Sequence, residues 1–383
     1  MRYDFIFVGG GLANLVSAYR LKITHPHLRT LVLEAKSELG GEHTWSVHES
    51  DISAGSWSWF RPLLSKSWKG YDVFFPQLSR SLKSDYHSID SAEFVEKVTA
   101  AGVTIRLGVA VTEVSQHAVK SAGESWAAEC VLDGRGWQSA ATVCAYQKFL
   151  GQRVQLSQPH SLTRPTIMDA RVPQKDGYRF VYVLPWSDTE VLIEDTRYSD
   201  TPDVQVEAYR MEIRDYCASQ GLSVEKVTYE EIGVLPIVLN GELPSSDNGV
   251  IPWGTRGGFF QPTTGYSLPT AIENAEKLSG LSSFRHSTVY PQTQIWMKQN
   301  WKRGRFLRGL NRMMFYAAAP EERFRILQRF YGLPGDLIER FYAGKLTIAD
   351  QARILSGRPP VSVTRALKAL WHDPLWREAN EAS

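Results

Sequence analysis

Three residues near the N-terminus have the types and spacing to hold a dinucleotide. The apolar run Tyr3–Val8 leads directly into GGGLANLVSAYRL, and a second apolar run, TLVLEA, ends in Glu34. Ala13, Leu15, Val16, Ala18, Tyr19 and Leu21 recur at helical spacing, so the segment reads as strand, glycine turn, helix and strand. An acid lies about 20 residues beyond the turn, as a dinucleotide fingerprint requires. Gly9 permits the tight turn, and Gly11 lets backbone approach a pyrophosphate at the helix N-terminus, with Leu12 and Ala13 completing the cradle. Glu34 is placed to accept hydrogen bonds from a ribose diol. Asn14 stands where the fingerprint has its third glycine, which weakens the pattern without abolishing it.

Two later turns repeat the theme. In VLDGRG a strand ends at Asp133 and Gly134, and in QPTTGYSLP the run Pro262, Thr264, Gly265 precedes a periodic helix. Free N–H groups at such turns suit phosphates or a flavin. One N-terminal fingerprint with further turns spread along the chain predicts a discontinuous FAD domain rather than a compact NAD domain.

A different chemistry is offered by TEVLIEDTRYSD, residues 189–200. At the strand period of two, Val191, Ile193 and Asp195 share one face, and Leu192, Glu194 and Thr196 share the other. Adjacent carboxylates thus leave an apolar strand in opposite directions, and at least one faces something other than bulk water. The preceding run YRFVYVLP puts Tyr178, Phe180, Tyr182 and Leu184 on one face. That aromatic face reads either as a substrate wall or as the cover of a core.

The elements that must position these groups follow from pattern and composition. The 383 residues are 43% hydrophobic and 22% charged, with a net charge of +2, which gives ample core and no general polyanion-binding character. No nucleic-acid motif is present. Cys130, Cys144 and Cys217 have no metal-ligand spacing, so neither a disulfide scaffold nor a metal site is expected. No run approaches the about 18 apolar residues of a membrane span, and the N-terminus lacks the layout of a signal peptide. The expected fold class is α/β. A Rossmann-like FAD-binding domain (1–144 plus 226–285) carries an inserted antiparallel-sheet substrate domain (145–225), followed by a C-terminal helical region (286–383).

In that last region Lys302, Arg303, Arg305, Arg308 and Arg312, then Arg323, Arg325 and Arg329, alternate with Phe, Leu, Met and Ile. A basic amphipathic helix of this kind suits either a membrane interface or a solvated face over an ordinary core.

Taken together, VGGGLANL, GGEHTWS, VLDGRG, GYRFVYVLP, LIEDT, QPTTGYSLP and RFYAGKLTIADQARILSGRPPV resemble the bacterial lycopene β-cyclases over essentially the whole chain. Glu42 departs from the family's more usual Asn in GGNHTWS. The resemblance implies a flavoprotein of the glutathione-reductase/hydroxylase type. It would need FAD in its reduced form, with NAD(P)H as electron source, and would cyclise the ends of lycopene through a half-cyclised intermediate without net redox change. It also implies peripheral contact with the cytoplasmic side of the membrane; the oligomeric state stays open.

Such a reaction begins by protonating a terminal alkene, a poor base that demands a dry, protonated acid. Burial among apolar side chains raises a carboxyl's pKa and supplies that form near neutral pH. Glu194 is the expected catalytic acid and Asp195 its support. His43, in the HTWS stretch, either contacts the cofactor or hydrogen-bonds a turn. The competing expectation is a flavin-dependent monooxygenase or hydroxylase acting on an apolar substrate, and a non-enzymatic carotenoid-binding flavoprotein is a third.

Overall fold

The computed structural model describes residues 2–37, 39, 43–138, 142–243, 249–357 and 360–371. Glu42 lies outside them. The N-terminal strand Arg2–Val8 sits between Thr30–Leu33 and Glu124–Asp133, parallel to both. Phe5, Ile6, Phe7 and Val8 are all buried, the continuous apolar run of a strand covered on both faces. Ile105–Arg106 extends this sheet on one side, and Ile251–Pro252 pairs with the end of Glu124–Asp133. Ala118–Ser121 and Val111–Val114 complete it as an antiparallel meander. Helices Leu12–Thr24 and Leu268–Ser279 pack on one face, with Leu15, Val16, Ile272 and Ala275 in the shared core.

A second seven-stranded sheet runs in the order Val224–Gly241, Thr142–Leu156, Glu190–Ser199, Tyr178–Pro185, Thr166–Asp169, Tyr71–Phe75, Leu78–Leu82. Its pairings are antiparallel except the one between Thr166–Asp169 and Tyr71–Phe75. The sheet is therefore wider than the expected 145–225. Residues 226–241 belong here, because Val224–Gly241 pairs along nearly the whole length of Thr142–Leu156. Strands from the 71–82 region close the far edge. A small third sheet joins Thr44–His48, Tyr86–Asp90 and Lys66–Trp68.

The two faces of the second sheet have different covers. Helix Val206–Ser219 packs Tyr209 and Ile213 onto Val181, Val191 and Ile193. The opposite face, with Tyr178, Phe180 and Leu192, meets Leu307, Met314 and Phe341 of the C-terminal helices.

The C-terminal region also divides differently from the expectation. Helix His286–Arg303 contributes Val289 and Met297 to the core beside the first sheet, so the boundary at 286 does not separate the two. Helices Arg305–Ala317, Phe324–Phe330, Gly335–Tyr342, Ile348–Leu355 and Val363–Trp371 follow. Several cations expected on exposed faces turn inward. Arg308 lies over the Trp301 ring, Arg323 binds Asp200 at 3.0 Å, and Arg312 donates to the Leu239 carbonyl. Lys302, Arg303, Arg305 and Arg325 remain exposed.

Candidate active site

The glycine turn forms one wall of a cavity of about 380 Å³ that Gly9, Gly11, Glu34, Gly134 and Arg135 help to line. Gly9 has φ +96°, and a Cβ there would sit 3.3 Å from the Gly134 carbonyl oxygen. The two predicted turns thus pass in close contact, where only glycine fits. Gly11 caps helix Leu12–Thr24 and lines this space, so the first turn of the helix, with its free N–H groups, begins at the cavity. Asn14 does more than replace a glycine. Its Nδ2 donates to the carbonyls of Val8 at 2.9 Å and Gly9 at 2.6 Å, and a Cβ on Gly134 would lie 2.5 Å from it. The side chain ties the turn to its strand, while Gly134 supplies the close packing that the third glycine normally gives.

Glu34 accepts from the Gly10 N–H at 2.5 Å and the Lys36 N–H at 2.8 Å. Leu12 is buried, and Ala13 packs against Gly254 beneath the turn. Asp133 is buried and holds Arg135 at 2.8 Å and Arg256 at 3.0 Å, so it acts on this wall through its guanidinium partners.

The third turn is braced from within. The Gln261 side-chain oxygen accepts from the N–H groups of Thr263 at 2.5 Å and Thr264 at 2.8 Å. Gly265 has φ +72° and lies against Leu235, and the Pro262 carbonyl accepts from Asn311 at 2.9 Å. Pro262 therefore anchors this turn to helix Arg305–Ala317.

Glu194 lies on a second, smaller cavity of about 110 Å³, which it shares with His43, Trp45, Tyr182, Gly265 and Tyr266. Three residues singled out in separate motifs, His43, Glu194 and Gly265, converge here. Burial pushes the Glu194 carboxyl up to about 7; the Thr196 hydroxyl, donating to it, opposes this and the charge of Asp195 adds to it. Tyr182, opposite Glu194 in the sheet, shares hydrogen bonds with Ser46 at 2.8 Å and Tyr86 at 3.0 Å.

Asp195 points the other way, at 0% exposure, and is gripped by Arg179 at 2.8 Å and Arg197 at 3.1 Å. Sequence reading missed Glu231, a buried acid whose carboxylate accepts from the Thr44 N–H at 2.7 Å. Its only signal was a second apolar strand carrying paired acids, in TYEEIGVL.

Beyond the Thr263–Tyr266 turn is an apolar tunnel of about 300 Å³ that Met168, Tyr198, Thr264, Phe341, Tyr342 and Leu367 help to line. Thr264 faces the tunnel and Gly265 the Glu194 cavity, so one short turn separates the two spaces. At the tunnel's outer end Leu355, Val363, Leu367 and Leu370 are solvent-exposed. Ile348, 85% exposed, stands on the same helical pair. Among the described residues no helix is long and apolar enough to cross a membrane, and no three acidic, His or Cys side chains form a metal-binding group.

This architecture, a glycine-cradled parallel sheet joined to a broad antiparallel sheet, is that of the flavin-dependent hydroxylase-type proteins. The flavin-dependent brominase Bmp2 matches it with a TM-score of 0.62 at 12% identity, covering 92% of this chain and 97% of its own. The enzyme CtdE, solved with FAD and a substrate, matches with a TM-score of 0.60 at 14% identity over the full length of both chains. The family model described as lycopene cyclase protein matches residues 4–368. This chain is 45% identical over 372 residues to the lycopene beta-cyclase of Pseudescherichia vulneris, covering 96% of each. It is 44% identical to that of Pantoea ananas, covering 96% of this chain and 98% of the relative. The chain belongs to the lycopene cyclase family.

Proposed function

We propose that this protein cyclises the ends of lycopene to β-rings, giving β-carotene through a half-cyclised intermediate, with reduced FAD as a non-redox cofactor and NAD(P)H as the source of its electrons. The observation that carries this reading is a carboxyl with a raised pKa, Glu194, on a small aromatic-walled cavity next to an apolar tunnel. The relatives named lycopene beta-cyclase supply the substrate class.

The glycine cradle fits a dinucleotide, since Gly11 borders open space on a cavity at the helix N-terminus and Glu34 stands at the strand end. Gly9, Gly11, Glu34, Gly134 and Arg135 would hold FAD, with His43 and Gly265 toward its reactive end. When bound and reduced, the flavin supplies negative charge near a developing cation.

The steps required of the protein are then simple. The tunnel takes the polyene end-on, and the polyene's end passes the Thr263–Tyr266 turn into the Glu194 cavity, away from water. Glu194 gives its proton to the terminal alkene, forming a C–H bond and leaving a tertiary carbocation. The neighbouring alkene attacks that carbon, a C–C bond closes the ring, and a ring C–H bond then gives its proton to a basic group of the site, its electron pair restoring a double bond. The rings of Tyr182, Tyr266 and Trp45 line the Glu194 cavity, and an aromatic face is worth ~2 kcal/mol or more to a desolvated cation. The exposed Leu355, Val363, Leu367 and Leu370, with Lys302, Arg303 and Arg305 nearby along the C-terminal helices, suit peripheral docking on the lipid that holds the substrate.

Expression in a lycopene-accumulating host, with pigment analysis, tests the reading: red cells should turn yellow-orange with β-carotene. The reduced protein should also convert lycopene anaerobically without matching consumption of NAD(P)H. Oxygen-dependent turnover with stoichiometric nicotinamide oxidation would instead establish the hydroxylase alternative.

A further inference from the structure

The strand Thr142–Leu156 runs between the strands that carry Glu194 and Glu231. Gly151 is paired with Glu194 on one side and with Glu231 on the other, so all three positions point to the same face of the sheet. Gly151 has no side chain to separate them. A Cβ there would come within 3.0 Å of the Glu231 Cγ and 3.1 Å of its Oε1, so Glu231 leans into the space above the glycine, toward Glu194.

Glu231 is 1% exposed and its carboxylate accepts from the Thr44 N–H, next to His43 on the Glu194 cavity wall. A buried acid and a half-buried one thus stand side by side over one glycine, and the proposed chemistry uses only one of them.

We infer that Glu231 is a positioning residue for Glu194: its carboxyl, brought across Gly151, allows the pair only one negative charge near neutral pH and so keeps a proton on the pair for Glu194 to deliver. Like charges in a dry site cannot both form, and such a pair titrates as a unit. The other groups facing the pair do not cancel this effect. Arg153 and Tyr229 face Glu231, but Arg153 is engaged by Asp90 at 2.7 Å and lies over the Trp186 ring. Around Glu194 stand Tyr182, Tyr266 and His43 on the cavity, and Asp195 behind the strand adds negative charge. Burial and the nearness of Glu194 both hold the Glu231 carboxyl above its ordinary range. The Thr44 N–H favours the charge on Glu231 and the Thr196 hydroxyl favours it on Glu194, so either acid can hold the single charge while the other keeps the proton.

The inference rests on Glu194 being the acid, and the test separates the two. Flavin-loaded wild type, Glu194→Gln, Glu231→Gln and Glu231→Asp are compared for lycopene turnover across pH. The protonated-carboxyl infrared band is titrated in parallel. Glu231→Gln should retain turnover at low pH, while its alkaline limb and the remaining carboxyl band move down by about one pH unit. That shift is a tenfold loss of rate above the limb. Glu231→Asp, which keeps the charge but draws it back from Gly151, should move both in the same direction by less. It also carries the test if the amide variant fails to fold. An unmoved limb and band in the Glu231 variants, with Glu194→Gln inactive, would overturn the inference and leave the catalytic acid standing. An active Glu194→Gln would overturn both.

Discussion

Glu194 and Asp195 are chemical neighbours with opposite surroundings. Asp195 faces a layer sealed by helix Val206–Ser219 and is matched by two guanidinium groups. Glu194 faces a cavity, and among the described residues its side chain receives a hydroxyl from Thr196 and no cation. The same strand therefore presents an acid matched by cations on one side and an acid facing a cavity on the other. A buried acid is available for chemistry when its neighbours leave its charge uncompensated, and is structural when they do not.

The largest effect that would sharpen this contrast is expected from Glu194→Gln. Removing a general acid costs about 10²–10⁴-fold in rate, and the protein should keep its fold and its flavin, as absorbance and turnover assays would register. Asp195→Asn should do the reverse. It leaves Arg179 and Arg197 buried without their shared anion, a loss of ~3–5 kcal/mol that would appear as a lower Tm in the presence of measurable turnover. If Asp195→Asn instead abolished turnover in a stable protein, the division of labour between the two acids would be wrong.

The pH dependence comes next in size. The acid must be protonated to act, so turnover should be full below and fall as pH rises through about 7, the value to which burial pushes Glu194. A limb rising with pH over that range would break the assignment. The smallest expected change is in Thr196→Val. The Thr196 hydroxyl stabilises the carboxylate form, so its removal should raise the Glu194 pKa and carry the alkaline limb upward by less than about one unit.

Local pattern revealed much of this site, and long-range register hid the rest. Strand alternation placed Glu194 and Asp195 on opposite faces, because the side-chain period is a property of the backbone alone. Glycine spacing revealed the cradle for a similar reason, since positive φ and close approach are demanded by local geometry. Glu231 was not legible, because its role exists only through Gly151, a residue eighty positions away in the chain. The widths of the domains were misjudged on the same account: nothing in the sequence of Val224–Gly241 says which strand it will pair with. Asn14 looked like a defect in a motif until its two carbonyl partners were visible. The inward-turned Arg308 and Arg323 carry the pattern of surface cations, and only the rings and carboxylates brought to them by folding reverse that reading.

The contact between the Gly9 and Gly134 turns has a kinetic consequence. The two turns are joined by pairing of Arg2–Val8 with Glu124–Asp133 and by the Gly134 N–H donating to the Val8 carbonyl at 2.9 Å. More than a hundred residues must be made and looped back before that parallel pair can close, and such closures are slow. The glycine cradle is thus a late-folding feature, because its fingerprint is made more than a hundred residues before the strand that completes it. Until then the Arg2–Val8 strand has an unpaired edge, and flavin that binds only the completed cradle would favour its closure by mass action.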